Sequence, residues 1–134
     1  MISSVSFKGK SGQAYRFEAW PIDTKFKAIG GVYIVTCRTF EDRTFRTKAS
    51  HRSLALGQTA SLAGPLLTKT ELSKLTGQGA NCVCVCAVSD AVRRASIEKD
   101  LIEANEQCGG LLYLFYSPVP EKAPGVASGA SEAS

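Results

Sequence analysis

Glu98 is the residue of this sequence whose type and position most clearly ask for chemistry. Projected on a helix at about 100° per residue, Ala91, Ala95, Ile97, Leu101, Ile102, Ala104 and Cys108 form one broad apolar arc, with Arg93, Lys99, Asp100, Glu103 and Glu106 opposite. Glu98 falls inside the apolar arc, one turn from Arg94 and two turns from Asn105. A carboxylate on a packed face costs on the order of several kcal/mol unless a charge, a hydrogen-bond donor or a cation meets it. The spacing therefore sets three candidate partners for Glu98: an ion pair with Arg94, a hydrogen bond from Tyr33, or a divalent metal.

A second group of reactive types is the row Cys82, Cys84 and Cys86, with Cys37 and the sole histidine, His51. Structural zinc sites commonly present Cys-x-x-Cys knuckles on turns. Thiols repeated at every second residue of one strand are spread too regularly for a single tetrahedron, so small, reduced, buried core residues are the expectation. His51 and Cys37 as base and nucleophile would lack a local group to orient them.

Charge is unevenly distributed. Residues 1–52 carry ten Lys or Arg against four acids, whereas the remainder is slightly acidic, within a net charge of +4. Lys25, Lys27, Arg38, Arg46 and Arg94 are the candidate contacts for a polyanion such as nucleic acid. The competing reading is a set of solvated strands whose lysines and arginines blunt edge pairing.

These residues need a scaffold to position them. Val5 and Phe7, then Tyr15, Phe17 and Ala19, alternate around Gly9-Lys10-Ser11-Gly12, which predicts a hairpin over 4–20. Residues 32–37 are apolar on both faces, as in a central strand. Glu41-Asp42-Arg43 suits a turn, followed by short strand-like runs at 44–48 and 53–56. A weak helix or helix pair is expected from Ser61, interrupted at Gly64-Pro65 and weakened at Thr68-Lys69-Thr70, and stopped by Gly77 and Gly79. A central strand over 80–88 precedes the Glu98 helix, 89–108, with Ser89 as its cap. This order predicts an α+β fold: a small, mostly antiparallel sheet with flanking helices.

Gly31-Val32-Tyr33, Gly57-Gln58-Thr59, Gly79-Ala80-Asn81 and the stretch from Arg93-Arg94 to Glu98-Lys99-Asp100-Leu101, in that order, resemble the motifs of the GIY-YIG nuclease superfamily. The resemblance covers roughly residues 4–109. It implies that Tyr33 corresponds to the first tyrosine at a scissile phosphate, and Glu98 to the ligand of a single divalent cation. The family's second tyrosine is replaced by Ala55 and its arginine by Ala63, and Asn105 is a displaced match for its asparagine. Losing one transition-state donor costs about 2.7–4 kcal/mol, so the resemblance implies a vestigial site and a protein that binds without cutting. An active endonuclease with a rearranged site, using Mg²⁺ or Mn²⁺, is the alternative; otherwise no cofactor is expected.

The expected organisation is one domain over 1–117, with the hairpin, a core over 30–109 and an apolar segment, 111–116 (Leu111, Leu112, Tyr113, Leu114, Phe115 and Tyr116), then a disordered tail over 118–134 rich in Pro, Gly, Ala and Ser. The apolar segment reads either as a last core strand or as a surface for a protein partner or a second copy. No membrane span or secretory leader is read in the sequence, and a cytoplasmic location is expected.

Overall fold

The computed structural model describes residues 2–43, 46–107 and 114–116. The fold is α+β, as the pattern predicts. Its strands are β1 (Ser3–Lys8), β2 (Ala14–Pro21), β3 (Gly31–Arg43), β4 (Arg46–Thr59), β5 (Cys82–Ala87) and β6 (Leu114–Tyr116), and its helices α1 (Lys69–Gly77) and α2 (Ala91–Gln107). All six strands join one antiparallel sheet in the order β4-β3-β5-β2-β1-β6.

Alternation along the strands divides the core into two layers. Val32 and Ile34 of β3, Cys82 and Cys84 of β5, and Phe7 and Phe17 of the first hairpin turn to the face covered by Ile97, Leu101 and Ala104 of α2. Val35, Val83, Val85 and Trp20 turn to the other face, beneath Phe26, Leu62 and Leu75. The sheet curls around the α2 layer: the Phe7 ring on β1 stands edge-on to His51 on β4, with centroids 6.3 Å apart, although three strands separate β1 from β4 in the sheet. Side chains far apart in sequence therefore meet inside the curve.

Three local expectations are corrected. Residues 41–43 are strand rather than turn, and the two short runs after them are one strand. β3 and β4 stay paired from Gly31↔Thr59 to Arg43↔Arg46, with one register shift between Val35 and Thr36, and Glu41 pairs with Lys48, so the polar stretch satisfies its backbone in the ladder. The helix expected from Ser61 starts only at Lys69. Thr68 is its N-cap: its hydroxyl accepts from the Glu71 N–H while the Glu71 carboxylate accepts from the Thr68 N–H. The threonines thus begin the helix instead of weakening its middle. Asp90, not Ser89, caps α2, its carboxylate accepting from the Arg93 N–H at 3.1 Å.

Residues 114–116 form β6 on β1, so that part of the apolar run is a sheet strand. Residues 111–113 and the expected tail, 118–134, lie outside the described residues. Among the described residues no helix is long and apolar enough to cross a membrane.

Candidate functional site

Tyr33 sits near the start of β3, opposite Gly57, and packs in the Trp20 layer. Its ring lies across Gly57, where a Cβ would come within 2.6 Å of the phenolic oxygen. The hydroxyl donates to the Leu66 carbonyl at 3.3 Å. Burial pushes the phenol up from its ordinary pKa, and the negative charges of Glu71 and then Glu98 push the same way. No hydrogen bond joins Glu98 to Tyr33 among the described residues. Among the described residues Glu98 makes no hydrogen bond or ion pair, and its neighbour Ile97 packs in the opposite layer from Tyr33.

The other two expected companions of Glu98 are engaged elsewhere. Arg94 is 8% exposed. Its guanidinium donates to the carbonyls of Val88 at 3.1 Å and Ser89 at 2.7 Å, and to Gln58 Oε1 at 3.2 Å, holding the β5–α2 connection against β4. Asn105 Oδ1 accepts from the Ser53 hydroxyl. Ala55 pairs with Val35 and lies on the Tyr33 side of the sheet, while Ala63 is exposed in the loop before α1.

The basic candidates separate into three places. Lys25 and Lys27 are exposed on the connector between β2 and β3, flanking buried Phe26. Arg94 is internal. Arg38 and Arg46 lie on a ribbon that the sequence does not announce. β5 pairs with β3 only from Gly31 to Thr36. Beyond Thr36, β3 continues to Arg43 against β4 as a two-stranded arm. The Asn81 side chain marks the departure, accepting from the Arg38 N–H at 2.8 Å and donating to the Arg38 carbonyl at 3.0 Å. The Arg38 guanidinium stacks 4.0 Å over the ring of Phe40, which is 60% exposed.

At the root of this arm, part of the cysteine and histidine group named from the sequence comes together. His51 of β4 and Cys82 and Cys84 of β5 are buried together, their ligating atoms all within 4.8 Å of one another. His51 Nδ1 is 2.9 Å from Thr36 Oγ1 of β3 and 3.8 Å from Cys84 Sγ. Hydrogen bonding with Cys84 foremost, and with His51 and Thr36, pulls the Cys82 thiol down against the effect of burial, while burial and the Cys82 charge push Cys84 up.

Cys82 and Cys84 of one strand lie close enough to share a ligand site, and the third group arrives from another strand. It does so through a register shift: Val35 faces Ala55 whereas Thr36 faces Ser53, leaving Leu54 as the extra residue of a bulge. Cys37 is half-buried, its sulfur beside Gly79, and Cys86 lies further along β5. The available signal was one histidine and a Cys-x-Cys strand; the bulge that joins them has no sequence signature.

Comparison with protein-family models, curated proteins and solved structures finds no match to this chain.

Proposed function

We propose that the chain is a non-catalytic, GIY-YIG-like binding domain whose ligand is nucleic acid, engaged through the β3–β4 arm. The observation that carries this reading is the arm's form and charge. It extends past the rest of the sheet as a two-stranded ribbon and bears Arg38, Arg43, Arg46, Lys48 and Arg52 against only Glu41 and Asp42. A two-stranded β-ribbon fits the major groove of B-form DNA, about 12 Å wide, and basic side chains along it displace counterions from phosphates. Phe40 adds an exposed aromatic surface beside Arg38.

The GIY-YIG-like part of the reading rests on the motif order and on the placement of Tyr33 opposite Gly57, with the Glu98 helix following β5. Its non-catalytic part rests on Ala55 and Ala63 at the expected tyrosine and arginine positions, and on the Tyr33 hydroxyl being hydrogen-bonded to a backbone carbonyl. The test is titration of a fluorescent DNA duplex at several salt concentrations, alongside incubation of supercoiled plasmid with Mg²⁺ or Mn²⁺. Binding that weakens steeply with salt, without nicking, is expected. No binding at low salt removes the nucleic-acid reading, and nicking abolished by Glu98→Ala overturns the non-catalytic one.

A further inference from the structure

We propose that His51, Cys82 and Cys84 form a structural zinc site that clamps β4, β3 and β5 together where the β3–β4 arm leaves the sheet. The inference stands independently of what the arm binds.

Geometry is the first support. In a tetrahedral zinc centre with Zn–S near 2.3 Å and Zn–N near 2.0 Å, neighbouring sulfur and nitrogen ligands lie about 3.5 Å apart. His51 Nδ1 and Cys84 Sγ are already 3.8 Å apart, and Cys82 Sγ is within 4.8 Å of both ligand atoms. Closing the set therefore needs side-chain adjustment rather than a new backbone path. The Thr36 hydroxyl, 2.9 Å from the same imidazole nitrogen, is a hydrogen-bond neighbour, and the donors the fold supplies are His51, Cys82 and Cys84.

Charge is the second. Cys82 is 1% exposed and Cys84 fully buried, so an uncompensated ion here would be expensive. Two thiolates and a neutral imidazole cancel the charge of a divalent cation, and soft thiolate with imidazole is the donor set that suits zinc. Binding converts both thiols to thiolates, and their protons pass to solvent.

His51 itself is 3% exposed, and its Nε2 has no hydrogen-bond partner among the described residues. Coordination through Nδ1 sets the tautomer with the proton on Nε2 and leaves that atom as it is, so the site stands on the distances between Nδ1 and the two thiols and on their charge.

The test uses the full chain, reduced and stripped with a chelator, then titrated with Co²⁺ and back-titrated with Zn²⁺. One equivalent of Co²⁺ should bind with a thiolate-to-cobalt charge-transfer band and tetrahedral visible bands, and Zn²⁺ should abolish both. Zn²⁺ should also raise the unfolding temperature. Cys84→Ala and Cys82→Ala should lose the bands, whereas Cys37→Ala and Cys86→Ala should keep them. Absence of the thiolate band in the wild type overturns the proposal, as does a band that survives Cys84→Ala. Should the buried variants fail to fold, X-ray absorption of the zinc-loaded wild type decides: a shell with two sulfurs and at least one imidazole nitrogen supports the site, and a shell of nitrogen and oxygen only overturns it.

Discussion

Tyr15 on β2 donates its hydroxyl to the Asp100 carboxylate on α2 at 2.7 Å. The same carboxylate accepts from the Ser11 N–H at 2.8 Å and the Ser11 hydroxyl at 2.6 Å, and the Asp100 carbonyl accepts from the Lys10 N–H at 3.1 Å. One helical residue thus holds the turn of the first hairpin. Gly9 belongs to this clasp, because a Cβ there would stand 2.0 Å from the carboxylate. Burial raises the Asp100 pKa, but the hydrogen bonds from Ser11, Tyr15 and Lys10 outweigh it and hold the group below the usual aspartate value. Asp100→Ala should lower stability by about 1–2 kcal/mol, the range for hydrogen bonds to a partly exposed charge. Since the folded-state pKa is depressed, the contribution is complete above the unfolded value of about 4 and is lost as pH falls through the folded value. Urea unfolding of wild type and variant from pH 7 downward should therefore show the gap shrinking only on the acid side of pH 4; a gap that stays constant to lower pH would rule this linkage out.

Tyr33 and Gly57 are matched across β3 and β4. A methyl group at position 57 would press on the phenol, 2.6 Å from its oxygen and 2.8 Å from the adjoining ring carbon. Gly57→Ala should destabilise by about 1–3 kcal/mol through overpacking. In Tyr33→Phe the oxygen is gone and part of the collision with it, so the double variant should be more stable than the sum of the two single effects predicts. Strict additivity in a double-mutant cycle would show that the tyrosine simply swings away.

Arg94 offers a clean separation between folding and binding. Its buried guanidinium satisfies two carbonyls at the entrance to α2. Arg94→Met retains the aliphatic stem but leaves those acceptors without their charged donor, a loss of about 1.5–3 kcal/mol. DNA affinity, measured where the variant is fully folded, should not change. A large loss of affinity without loss of stability would return Arg94 to the nucleic-acid surface.

The contrast between what was legible and what was not follows the range of the interactions. The first hairpin was readable because Gly9 to Gly12 and the flanking alternation act within a dozen residues; the turn closes through Gly12 N–H to the Gly9 carbonyl at 3.0 Å, with Gly12 at φ 91°. The two faces of Cys82 to Val85 were likewise fixed by strand periodicity. The long β3–β4 arm was not, because charged residues at 41–43 carry turn propensity that the paired ladder overrides. The Glu98 reading identified the polar stretch of α2 but mistook the buried member: Arg94, Ile97, Leu101 and Ala104 form the packed line, and Glu98 stands beside it, half-buried. The His51 cluster depends on one extra residue in β4 and on sheet curl, neither of which local sequence encodes.

The two basic regions can be told apart by how each responds to salt. If the arm carries the phosphate contacts, Arg46→Ala should weaken duplex binding at fixed salt and reduce the slope of log K against log salt by about one, the value for losing a single contact. Arg43→Ala should act similarly. Lys25 and Lys27 lie on the β2–β3 connector around Phe26, which enters β3 at Gly31, the end opposite the arm. Replacing both with alanine should leave the slope within error of wild type. The measurement is fluorescence anisotropy of a labelled duplex over a salt series, with circular dichroism to show that each variant is folded. A slope reduced by the lysine pair and untouched by Arg43→Ala and Arg46→Ala would move the binding surface to the connector and leave the arm a structural extension of the sheet.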